Sequence, residues 1–184
     1  MAKRTLYIFV CLAMLIGFSS CKDSFTEVGK SQIDSLFYRL KIADTLQRGL
    51  DTNYLKRQIN QASLNIQNFQ IYFQDTLNVN QAEFLLGYYK NLNRMNAVIG
   101  LNKQQLQSLK TAQKQLAALK ADLISKAVQP ADFMKMFAKE SARCSVLYAN
   151  AFYCRKEVQV SVNSQVGLTS QLQQMMDKSK GIEK

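Results

Sequence analysis

Apolar residues recur along most of this chain at steps of three and four, the spacing of one face of an α-helix. Ile33, Leu36, Phe37, Leu40 and Ala43 keep to one such face. Ser31-Gln-Ile-Asp34 before them reads as a capping box with Asp in place of Glu. Gly49 marks an end, and Asp51 or Thr52 supplies the cap of a second helix. That helix carries Leu55, Ile59, Ala62, Ile66, Phe69 and Phe73, a heptad-like stripe suited to packing along another helix. Asn80-Gln-Ala-Glu83 predicts the next start, Leu85, Tyr88, Leu92, Met95 and Ile99 the next seam, and Gly100 its C-terminal cap. A fourth helix is expected over about 102–128, with Leu109, Ala112, Leu116, Leu119 and Leu123 inward.

Pro130, the only proline, sits where it can open a helix as a first-turn residue. The last helix is expected over about 131–178, with a kink at Gly167. Its seam includes Phe133, Phe137, Cys144, Leu147, Ala151, Cys154, Val158, Leu168, Leu172 and Met175. Val158-Gln-Val-Ser-Val162 alternates as a strand would. No partner strand is evident, and a lone strand leaves its backbone unsatisfied, so helix is favoured there. The pattern therefore predicts an all-α fold: an elongated up-and-down helical bundle of about five helices, with coiled-coil-like seams and a long C-terminal helix.

The N-terminus follows a different rule. Lys3 and Arg4 precede an apolar run, Leu6 to Ile16, and then the small residues Gly17, Ser19 and Ser20 before Cys21. A membrane span needs about 20 apolar residues, so this run reads as a signal peptide. Phe18-Ser19-Ser20-Cys21 resembles the lipobox of bacterial lipoproteins, with Phe18 where Leu is usual and Ser20 where Gly or Ala is usual. The resemblance implies that Cys21 is lipidated and becomes the mature N-terminus. It also implies outer-membrane sorting, because Lys22 rather than Asp follows the Cys. The domain plan that results is a signal peptide at 1–20, a tether at 21–30, a helical bundle at 31–178 and a tail at 179–184. In overall character the chain is similar to small helical lipoproteins of Gram-negative bacteria, a group that implies no single activity.

Composition narrows the chemistry. There is no His, so Ser-His and Cys-His nucleophile pairs and imidazole metal sites are excluded. Within the predicted helices no Asp/Glu pair shares a polar face as a di-metal or acid/base motif requires. There is no glycine-rich phosphate loop, no Cys-x-x-Cys and no nucleophile elbow. The reading carries no cofactor, no metal and no catalytic residue. Glu140, on the seam of the last helix, is the one carboxylate out of place. Cys144 and Cys154 lie ten residues apart on one predicted helix, a rise of about 15 Å, too far for a disulfide. They read as two core thiols.

The net charge is +11, with 24 Lys and Arg against 13 Asp and Glu. Between Lys90 and Lys126 seven basic residues face one acid, Asp122. Lys103, Lys110 and Lys114 fall opposite the Leu109/Leu116/Leu123 seam, where a solvated face belongs, and they are the candidate contact for an anionic surface. The aromatic residues Tyr72, Phe73, Tyr88, Tyr89, Tyr148, Phe152 and Tyr153 cluster in neighbouring pairs, one of each expected to pack inward and the other to sit at the rim. On an exported chain, nucleic acid is set aside as a partner. Membrane lipid through acylated Cys21, and an anionic envelope surface or a protein, take its place. The expected role is a lipid-anchored binding or scaffolding module of the cell envelope, on the periplasmic face or the cell surface. Two alternatives of other classes are an immunity or inhibitor protein against an envelope toxin or hydrolase, and an enzyme.

Overall fold

The computed structural model describes residues 2–73 and 77–179, with side chains described for 24–73 and 77–178. The segment 1–20 expected as a signal peptide, Cys21 and the tail 179–184 lie outside the described side chains. The fold is all-α: α1 (Ala2–Arg48), α2 (Thr52–Phe73), α3 (Val79–Ile124) and α4 (Pro130–Ser179). Among the described residues there is no strand.

Local chemistry explains the helix ends. At α2 the Asp51 carboxylate accepts a hydrogen bond from the Tyr54 amide at 2.8 Å, an N-cap as the sequence predicts. At α3 the capping box lies two residues upstream of the predicted one. The Gln81 amide donates to Asn78 Oδ1, and the Asn78 amide donates to Gln81 Oε1, both at 2.9 Å. Pro130 is the first residue of α4, where its missing N–H costs nothing.

The end of α3 is a Schellman turn without glycine. The Ala127 amide donates to the Asp122 carbonyl at 2.9 Å and the Lys126 amide to the Leu123 carbonyl at 3.3 Å, with Lys126 left-handed at φ 58°.

One correction concerns the helix count and another a helix boundary. Gly100 does not end a helix: the third and fourth predicted helices are one, α3. The buried positions Met95, Val98, Asn102, Gln105 and Leu109 continue the three-four stepping straight through it. Two of those positions are polar, which hid the continuity. Nor does Ser31 begin a helix, since α1 already includes residues 24–30, expected as part of a tether. They are ordered by packing: the Phe25 ring meets Phe133 edge-on at 5.5 Å, and Gly29 is buried. Val158–Val162 is helical, and α4 runs through Gly167 as one element.

The chain forms two compact units, residues 1–42 with 109–148, and residues 43–108 with 149–184. In the first unit the predicted seams are buried: Ile33, Leu36 and Leu40 of α1, Leu109, Ala112, Leu116, Leu119 and Leu123 of α3, and Phe133, Cys144 and Leu147 of α4. Burying each large side chain contributes about 1.5–3 kcal/mol. On its surface Lys120 Nζ meets Asp34 Oδ1 at 2.5 Å, and Arg143 donates to Gln115 Oε1. In the second unit Ala62, Ile66, Phe69, Leu85, Tyr88, Leu92, Leu172 and Met176 form one core cluster, with Ile59, Phe73, Phe84, Leu168 and Met175 packed on it.

Candidate functional site

The second unit joins that apolar cluster to a polar network. Asn91 of α3 donates through Nδ2 to the Ser161 carbonyl and to Gln165 Oε1, both at 3.0 Å. Gln165 Nε2 donates in turn to Tyr88 Oη at 2.6 Å and to Thr169 Oγ1 at 3.2 Å. Asn91, Ser161, Gln165 and Tyr88 are all buried. This arrangement places the polar residues Ser161 and Gln165 on seam positions of α4 between Val158 and Leu168, the first of them in the stretch whose sequence alternates like a strand.

Above the network, α3 and α4 leave a cleft of about 390 Å³ lined by Gly87, Lys90, Asn91, Arg94, Ser164, Gly167, Leu168 and Gln171. Its opening follows from the two glycines. A Cβ at Gly87 or Gly167 would meet nothing within 4 Å, so neither glycine is required by packing. Each costs its helix about 1 kcal/mol relative to Ala. Lys90 and Arg94, four residues apart, stand on the same side of α3. Arg94 Nε contacts Glu157 Oε2 at 3.2 Å, which orients the guanidinium, and half of the Arg94 side chain remains exposed. Ser164 and Gln171 add exposed hydrogen-bonding groups, and the Asn91 Oδ1 atom is buried with no hydrogen-bond partner among the described residues. The cleft therefore offers the Lys90 ammonium, an Arg94 guanidinium shared with Glu157, and several neutral polar groups, which suits a hydroxylated organic anion.

The sequence-predicted residues are placed differently. Lys103, Lys110 and Lys114 are all exposed. Lys103 belongs to the second unit, and Lys110 and Lys114 to the first, on one face of α3 at i, i+4. None of the three makes an ion pair among the described residues. The aromatic pairs divide as expected at Phe73 and Tyr88, which face inward, and at Tyr72 and Tyr89, which are exposed. At Phe152 and Tyr153 both rings are exposed, because the flanking Ala151 and Cys154 take the core positions.

Cys144 and Cys154 are free and buried on one continuous helix. Burial pushes the Cys144 thiol up to about 11, helped by the Glu140 carboxylate and opposed by Arg143 and Arg39. Burial likewise raises Cys154, and the neighbouring Gln47 amide opposes it, although Gln47 makes no hydrogen bond of ordinary geometry. Thiols held protonated in this way are poor nucleophiles. Glu140 is buried, and its Oε2 has no hydrogen-bond partner among the described residues. No described helix is long and apolar enough to cross a membrane, and the described residues hold no cluster of three or more His, Cys, Asp or Glu side chains placed for a metal ion.

The sequence reading missed Lys90 and Arg94 as a pair in a cleft, because it treated the basic stretch of α3 as one solvated face. The signal that could have found them was the presence of two glycines, Gly87 and Gly167, inside strong helical patterns. No protein-family model, curated protein or solved structure matches this chain.

Proposed function

We propose that this protein is a lipid-anchored binding module of the bacterial cell envelope, held through Cys21, whose second unit takes an acidic saccharide in the cleft beside Lys90 and Arg94. The anchor is supported by the order of basic residues, apolar run, small residues and Cys21. The binding half of the reading is carried by one observation, the cleft opened by Gly87 and Gly167 and rimmed by two cations. A protein with fixed cations and neutral polar groups around a concave site recognises an anion that also carries hydroxyls, and acidic envelope polysaccharide has that chemistry. Lys110 and Lys114 are proposed as a separate, electrostatic contact of the first unit with an anionic surface.

Titration calorimetry of the full chain with an oligogalacturonate, against a neutral oligosaccharide of equal length, tests the cleft. Binding is expected for the acidic ligand alone. Lys90→Glu with Arg94→Glu, or Gly167→Leu alone, is expected to weaken it about tenfold or more, the loss of one to two charge-assisted contacts. Equal affinity in wild type and variants, or no binding at all, would overturn the saccharide reading. Lys110→Glu with Lys114→Glu is expected to reduce adsorption to anionic vesicles without lowering the melting temperature.

A further inference from the structure

Cys21 stands only four residues before Phe25 of the first unit. Only Lys22, Asp23 and Ser24 separate Cys21 from Phe25. Four residues of fully extended chain reach about 14 Å, so Phe25 stays within that distance of an acylated Cys21 in any conformation. Phe25 is not on a free arm. Its ring packs edge-on against Phe133 at 5.5 Å. One turn on, Gly29 lies so close to α3 and α4 that an added Cβ would come within 2.6 Å of Leu123 and 3.1 Å of Phe133. Whatever holds Cys21 at a bilayer therefore brings the α3–α4 turn to the same surface.

That end of the unit has the matching chemistry. A pocket of about 300 Å³ opens there between Phe25, Leu123, Val128 and Pro130, with Lys126 at its rim. Val28, Ile124 and Met134 nearby are each more than half exposed. The charges around the turn nearly cancel. Lys30 is paired with Glu27 at 2.6 Å, and in the sequence flanking the turn the two positive charges of Lys126 and Lys135 are matched in number by Asp122 and Asp132. An apolar surface with balanced charge selects the hydrocarbon boundary rather than anionic headgroups. Lys126, at the tip, has a long stem that can lie along the apolar surface while its ammonium stays in water.

We infer that the α3–α4 turn, together with Val28 and Ile124, seats in the interfacial layer of the bilayer beside acylated Cys21, as a second membrane contact. This rests on the lipid-anchor reading, and the test separates the two. The chain contains no Trp, so a single introduced Trp is an unambiguous reporter. Val28→Trp, Ile124→Trp and, as a control on the same unit, Val146→Trp replace exposed residues and leave the core intact. Each full-length acylated variant is reconstituted into phosphatidylcholine vesicles with and without brominated lipid. Mass spectrometry and vesicle flotation first report acylation and anchoring. The expected result is a blue-shifted emission at positions 28 and 124, quenched at least about twofold more strongly than at 146, and unchanged when anionic lipid is added. An acylated, vesicle-bound protein with equal quenching at 124 and 146 would overturn the seating while sparing the anchor. Quenching that appears only with anionic lipid would overturn the apolar mode. A chain that carries no acyl group would remove the anchor and the seating together.

Discussion

Two glycines in one chain respond oppositely to the same substitution, because their surroundings differ. At Gly29 an added methyl meets Leu123 and Phe133, both buried and unable to retreat without disturbing the core. Overpacking of this kind costs about 1–3 kcal/mol, more than the helix gains from Ala. At Gly87 the methyl meets nothing. Thermal melts should therefore show Gly29→Ala lowering the midpoint and Gly87→Ala raising it, the latter by about 0.5–1 kcal/mol. The buried thiol gives a pH signature at the same scale. The unfolded chain releases the Cys144 proton near its ordinary value of 9.0, and the folded chain holds it to about 11. Between those values the unfolded state binds fewer protons, so stability falls as pH rises, by up to about 1.4 kcal/mol per unit. Denaturant titrations at pH 8 and pH 10.5 should show a larger loss for wild type than for Cys144→Ala.

Helix register is the level at which most of the fold was legible in the sequence, and also where the reading went astray. Every apolar seam of α2 and α3 that the spacing predicts faces inward, with Ile59, Phe73 and Ile99 half-buried and the rest buried. Helix existence was legible because burial enforces the periodicity, while helix boundaries depended on single polar residues. Asn102 and Gln105 occupy core positions, so the α3 seam looked broken at Gly100 when only its polarity had changed. The end of α3 was illegible for the opposite reason: Lys126 takes the left-handed conformation that usually advertises itself as glycine. The cleft was partly legible, as two glycines and two cations, but their convergence depends on how α3 and α4 pair, which spacing alone does not reveal. Gln165 is the pivot of that pairing. Gln165→Leu removes one hydrogen bond each from the buried Asn91 amide and Tyr88 hydroxyl, leaving the first with the Ser161 carbonyl and the second with Thr169, and should cost about 1–3 kcal/mol. Adding Asn91→Leu should recover part of that cost in a double-mutant cycle.

At the scale of the molecule, separate roles are proposed for the two units. The first unit holds the chain end nearest Cys21 and an apolar pocket beside it. The second holds the polar network and the cationic cleft. Both roles presuppose that the chain is fixed to a membrane, because one names the surface that unit 1 meets and the other names the envelope material within reach of unit 2. Durable fixation takes more than one acyl chain, which a modified N-terminal Cys supplies. Metabolic labelling with palmitate in a Gram-negative host, comparing wild type with Cys21→Ser, tests that claim most directly. Label is expected on the wild-type protein and none on Cys21→Ser; label retained by Cys21→Ser, or no label on wild type, would rule out the anchor.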